Sequence, residues 1–311
     1  MSLTVVGSVA FDAVETPFGK RDRMLGGAAT HFALAASFFD QVHAVGVVGG
    51  DFGPDEERVL TDRGVDTSDI ERVEDGRTFF WAGRYSADMN SRETLDTQLN
   101  VFETFQPKLS QASRDADVVF LANIQPDLQY EVRQQCTSAK FVAMDSMDLW
   151  INIARDSLQR TIESVDGLLL NDGELKMLTG KPNLVQAAEE VRGWGPKVVV
   201  AKLGEYGAAL FTEQGFFGLP AFPLRSVLDP TGAGDSFAGG FMGFIAAHRD
   251  EELDDALLRR AMAYGTAVAS FNVEDFGTER VARLTADEIT ERVGELARIT
   301  HFEDAPIELR A

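Results

Sequence analysis

The 311-residue sequence contains a single cysteine, Cys136, which excludes an internal disulfide and any cysteine-built metal cluster. Its four histidines lack the paired spacing of a zinc site. No apolar run reaches the ~20 residues that a membrane-spanning helix requires, and no signal peptide is read ahead of the first strand. Lysine is scarce: only seven of the 29 basic residues are lysine, against 50 Asp plus Glu, for a net charge of −21. So negative a surface repels nucleic acid and anionic membranes, and neither is expected as a partner. A cytoplasmic location fits these absences, and a salt-rich cytoplasm would screen the self-repulsion. Two common nucleotide motifs are missing as well. The nearest P-loop candidate, Gly173 to Gly180-Lys181, has the wrong spacing and runs into Pro182. Phe237 stands where a dinucleotide fingerprint needs glycine.

What remains is an ordinary globular composition, 44% hydrophobic and 25% charged, enough for one large α/β domain. Leu3–Ser8 and Val42–Val48 read as buried strands, Gly26–Phe39 as a buried helix and Asp55–Arg63 as an exposed one. From Asp117 short apolar strands alternate with helices. The strands are Val118–Ala122, Phe141–Asp145, Gly167–Asn171 and Val198–Leu203. The helices lie near Leu128–Gln135, Leu149–Ile162, Glu174–Leu178 and Leu184–Trp194. Two long helices follow, Ser236–Ala247 and Leu253–Phe271, then a polar one near Ala286–Ile299. This rhythm predicts a mostly parallel sheet with helices on both faces. Val9–Pro17 and Arg77–Tyr85 fall outside it and read as strands of a separate excursion, joined by pieces of Thr94–Phe105.

The most informative stretch is Asp229-Pro230-Thr231-Gly232-Ala233-Gly234-Asp235-Ser236-Phe237-Ala238-Gly239-Gly240. Gly232 and Gly234 accept dihedrals that other residues resist, so the turn can wrap backbone amides around an anion. The helix that follows adds free N–H groups and the positive end of its dipole. Asp235 then sits beside an anion site, where a carboxylate is a poor phosphate ligand but a suitable base for a hydroxyl. Taken alone, Asp at a helix start is as readily a cap or dipole partner.

From Asp229 to Met242 the stretch resembles the signature of the ribokinase-like (PfkB) carbohydrate kinases. The resemblance extends in order through Asp12, Gly26-Gly27, Asn171/Glu174 and Gly204/Gly207. It implies a three-layer α/β/α fold with a mostly parallel central sheet and a small β-lid built from about 9–24 and 77–105. It implies ATP-dependent phosphorylation of a hydroxymethyl group on a sugar or related polyol. Gly232, Ala233 and Gly234 would form the anion hole, with Asp235 as base. Asp12, Gly26, Gly27 and His31 would bind the acceptor. Two departures bear on which acceptor: His31 occupies the slot of a family Asn, and Ala10 stands where ribokinase has another.

Lys202, Gly204, Gly207 and Asn272 would lie on the ATP side. Asn171 and Glu174 match the family's Asn-x-x-Glu, which organises Mg2+ mostly through water, although the same residues suit a helix cap. Asp229 would help hold a monovalent cation, K+, below the anion hole. Arg84, Phe79 and Trp81 are lid residues placed either over substrate or in the core. A nucleoside kinase of the same fold is the alternative activity, and a ligand-binding sensor with poor turnover a third. A lid with exposed apolar strands leads us to expect a homodimer.

Overall fold

The computed structural model describes residues 2–303. Thirteen strands run in chain order: β1 Leu3–Val6, β2 Ala10–Thr16, β3 Gly19–Gly26, β4 Val42–Gly49, β5 Asp66–Val73, β6 Phe79–Tyr85, β7 Arg92–Gln98, β8 Val118–Leu121, β9 Phe141–Met144, β10 Gly167–Asn171, β11 Val198–Lys202, β12 Ala208–Thr212 and β13 Gly215–Leu219. Nine form one sheet in the order β13-β12-β11-β10-β9-β8-β1-β4-β5, and four form a second, β3-β2-β6-β7. The large sheet is parallel from β11 through β5, with an antiparallel hairpin, β12–β13, at one edge.

Strand side chains alternate between faces, and both faces of the large sheet are apolar. Val5, Phe120, Leu169 and Val200 meet Phe32, Phe241 and Leu258 on one side. Val119, Val142, Leu168, Leu170 and Val199 meet Val132, Leu158 and Val191 on the other. Helices Ala28–Ala36, Ala233–Ala247 and Asp255–Asn272 cover the first face. Helices Pro126–Gln135, Arg155–Ile162 and Leu184–Arg192 cover the second. The result is a three-layer α/β/α architecture.

The structure departs from the sequence reading in several places. The helix expected over 149–162 is two helices, Asp148–Ile153 and Arg155–Ile162, broken at Ala154 with φ −136° and ψ 38°. Gly26 ends β3 instead of opening a helix, and the helix begins at Ala28. The stretch 94–105 holds only part of one strand, followed by a 3-10 turn over Asn100–Thr104. Among the described residues, no helix is long and apolar enough to cross a membrane.

Candidate active site

In an open parallel sheet, ligands gather at the carboxyl ends of the strands. Here Asp145 directly follows β9, and the neighbouring strands β10 and β11 end at Asn171 and Lys202. Lys202 Nζ donates to Asp145 Oδ2 at 3.0 Å, and both side chains are largely buried. Burial disfavours the ammonium, yet Asp145, Glu174 and Asp235 together hold its pKa above the ordinary range. Burial raises Asp145 as well, in spite of Lys202. The two shifts look contradictory for a paired acid and base. They are reconciled by the surplus of negative charge, since three carboxylates share one ammonium. Burial, with Asp145 and Asp148 adding to it against the pull of Lys202, pushes Glu174 up to about 7.

Asn171 and Glu174 form a reciprocal capping box on helix Asp172–Thr179. The Glu174 amide donates to Asn171 Oδ1 at 2.7 Å, and the Asn171 amide to Glu174 Oε2 at 2.8 Å. The cap therefore occupies one oxygen of each side chain and leaves Glu174 Oε1 over. No group of three or more His, Cys, Asp or Glu able to hold a metal occurs among the described residues.

The 229–235 turn packs beside this cluster. A Cβ on Gly234 would lie 3.2 Å from Lys202 Nζ. Gly232 has φ 75° and ψ 0°, the left-handed region open to glycine. Asp229, fully buried, ties the turn down: Oδ1 accepts from the Thr231 amide at 2.9 Å and Oδ2 from the Gly277 amide at 3.0 Å. The Ala233 amide donates to the Pro230 carbonyl at 3.2 Å. Of the three residues expected to form the anion hole, Ala233 is the one whose amide is engaged within the turn. The Gly232 and Gly234 amides have no acceptor among the described residues. Burial raises the Asp235 pKa against the pull of Lys202 and Arg92.

The small sheet brings the acceptor candidates over this turn. Asp12 lies on β2, opposite Met24 of β3 and Trp81 of β6. Paired positions share a face, so a carboxylate stands between a thioether and an indole. Gly26 makes room for it, and Gly27 lets the chain pass close to the Ser8 backbone. A Cβ on Gly26 would lie 2.0 Å from Asp12 Oδ2, and one on Gly27, at φ 95°, 2.4 Å from the Ser8 carbonyl. Burial pushes Asp12 up to about 7, helped by Asp229 and Asp235 and opposed by the Gly27 amide and Arg92. Met24, Trp81, Met89 and Leu228 are half-buried against Val14, Tyr85 and Phe276. The Thr231 hydroxyl donates to the Tyr85 hydroxyl at 3.2 Å, linking turn and small sheet.

Other expected residues lie apart. Asn272, expected on the ATP side, is fully buried, with its amide committed to Thr231, Ser236 and His31. Phe79 stacks on Phe102 at 5.3 Å. Arg84 pairs with Glu15 at 3.0 Å on an exposed face. Gly204 and Gly207, at φ 59° and 102°, shape the turn after β11. Sequence reasoning missed Asp145 and Arg92. Asp145 ends an expected strand, a position that itself signals a ligand site. Arg92 sits in a polar run and carries no such mark.

Amides that can steady a phosphoryl group beside a buried carboxylate place the molecule among small-molecule kinases of α/β architecture. Comparison with known proteins makes this specific. Residues 3–283 match the description "pfkB family carbohydrate kinase", and the chain belongs to that family of ATP-dependent phosphotransferases. It is 29% identical over 259 residues to a cytidine kinase of Thermococcus kodakarensis, covering 81% of this chain and 91% of the relative. It is 28% identical over 309 residues to a nucleoside kinase of Methanothermobacter thermautotrophicus, covering 89% and 91%. The aminoimidazole riboside kinase of Salmonella enterica, solved with aminoimidazole riboside and an ATP analogue, superposes with a TM-score of 0.75. That match is 21% identical and covers 94% of this chain and all of the other.

Proposed function

We propose that this chain is a nucleoside kinase, transferring the γ-phosphoryl group of ATP to the hydroxymethyl group of a ribonucleoside. The observation that carries the reading is the row Met24–Asp12–Trp81. An ionised carboxylate only accepts hydrogen bonds and so suits a vicinal diol, while Trp81 and Met24 offer flat, polarizable surface for a base. A small polyol would leave that surface unused. Relatives matched over four-fifths or more of this chain, a cytidine kinase and a nucleoside kinase, support the same choice. The sugar or polyol expected from the sequence gives way to it.

In the proposed reaction Asp235 takes the hydroxyl proton as the alcohol oxygen bonds to the γ-phosphorus. The bond from that phosphorus to the bridging oxygen breaks, and ADP leaves. The Gly232 and Gly234 amides, the helix N-terminus and Lys202 stabilise the charge in transit. Glu174 Oε1 and Asp145 fit Mg2+ held through water, because their surplus negative charge calls for a further cation. When bound, the ion would neutralise the phosphates. The small sheet acts as a lid over the acceptor, and K+ at Asp229 would draw on lone pairs that the two amides leave.

An ADP-release assay with Mg-ATP and a panel of nucleosides, sugars and polyols tests the reading, with Asp235→Asn as control. Turnover confined to nucleosides and lost in the variant is expected. Turnover with simple sugars alone would overturn it.

A further inference from the structure

Behind the 229–235 turn lies a closed group of polar side chains: His31 is 2% exposed, and Ser236 and Asn272 are fully buried. Asn272 Nδ2 donates to the Thr231 carbonyl at 2.7 Å. A carbonyl oxygen only accepts, so this contact fixes which end of the amide is which. Asn272 Oδ1 therefore faces the Ser236 hydroxyl at 3.0 Å and His31 Nδ1 at 3.1 Å. Both must donate to it, so Nδ1 carries the proton and a neutral ring has a bare Nε2. Nε2 is buried without a hydrogen-bond partner among the described residues. Burial lowers the His31 pKa, against smaller opposing effects of Asp229 and the Asn272 contact, which keeps the ring neutral near pH 7. The ring rests directly on the turn: a Cβ on Gly232 would lie 2.3–2.4 Å from Nδ1, Cε1 and Cγ.

We propose that His31 and Asn272 are a positioning pair for the phosphoryl-binding turn, His31 acting through its Nδ1–H and not as an acceptor ligand through Nε2. The pair holds the turn from two sides. Asn272 anchors the Thr231 carbonyl, and the imidazole fills the space that Gly232 leaves. The proposal rests on the kinase reading for its catalytic consequence, but the tautomer does not depend on it.

Two variants separate the roles, because an Asn amide nitrogen lies near the ring's Nδ1 and a Gln amide nitrogen near its Nε2. His31→Asn keeps a donor for Asn272 and should hold kcat within about threefold of wild type. His31→Gln should lower kcat about 10–100-fold, the scale of a small misplacement of reacting groups, with KM for nucleoside and ATP within about twofold. Equal losses, or a near-normal His31→Gln beside a His31→Asn with raised nucleoside KM, would overturn the assignment. Nitrogen-15 NMR of the wild-type protein should show His31 as the Nδ1–H form at neutral pH. The Nε2–H form would overturn the proposal even if a variant fails to fold. Should no acceptor be phosphorylated, the kinase reading fails while the NMR result still decides the pairing.

Discussion

Replacing Gly232 with alanine should strike the backbone and the packing at once. At φ 75° a residue with a Cβ costs ~1–2 kcal/mol. The new methyl would also sit 2.3–2.4 Å from three atoms of the His31 ring, well inside contact distance. The ring cannot withdraw freely, since it is buried and tied to Asn272 at 3.1 Å. Overpacking of this kind costs ~1–3 kcal/mol, so the total is roughly 2–5 kcal/mol. With an unfolding entropy of about 2.1 cal/mol/K per residue, a 311-residue chain shifts by roughly 1.5 °C per kcal/mol, so Tm should fall by roughly 3–8 °C. Thermal unfolding by circular dichroism, without ligands, measures it. His31→Ala removes the atoms the methyl strikes, so Gly232→Ala in that background should cost only the ~1–2 kcal/mol backbone share. A Gly232→Ala protein within about 1 °C of wild type would refute the reasoning.

Three further outcomes are expected. Asp235→Asn should keep nucleoside and ATP binding by calorimetry while kcat falls roughly 10²–10⁴-fold, the range for a general base. Burial holds Asp12 and Glu174 at about 7, above their unfolded values of 3.8 and 4.5, so the folded chain keeps protons that the unfolded chain releases. The stability they contribute is present below about pH 4 and is lost as pH rises through about 7; Asp12→Asn should flatten part of that slope in pH-dependent melts. Trp81→Ala should raise nucleoside KM about tenfold in steady-state assays, on the scale of ~1–3 kcal/mol for base–aromatic stacking, with little change for ATP.

Much of the fold was legible because each inner strand is a short apolar run buried on both faces, as in Gly167–Asn171 and Val198–Lys202. Strand β5, Asp66–Val73, was not, since an edge strand reading DTSDIERV carries little apolar signal. The β12–β13 hairpin is two five-residue strands without alternation, and it too escaped. At the site, the turn from Asp229 to Asp235 could be read from its glycines. The burial of Asn272 was not legible, because its place in the sequence says nothing of which face of the helix its side chain takes. Its partner His31 is 241 residues away in sequence, a pairing that only the packed helices reveal.

A kinase waiting for its acceptor keeps a reactive anhydride within reach of water. The Thr231–Tyr85 hydrogen bond bears on how that leak would be limited. Tyr85 ends β6, the strand that carries Trp81. In a nucleoside kinase, the strand that senses the arriving base is thereby fastened to the turn that steadies the phosphoryl group. A nucleoside pressing on Trp81 would firm up both together. A water molecule is too small to load the strand, so idle ATP would meet the turn without that added support from the small sheet.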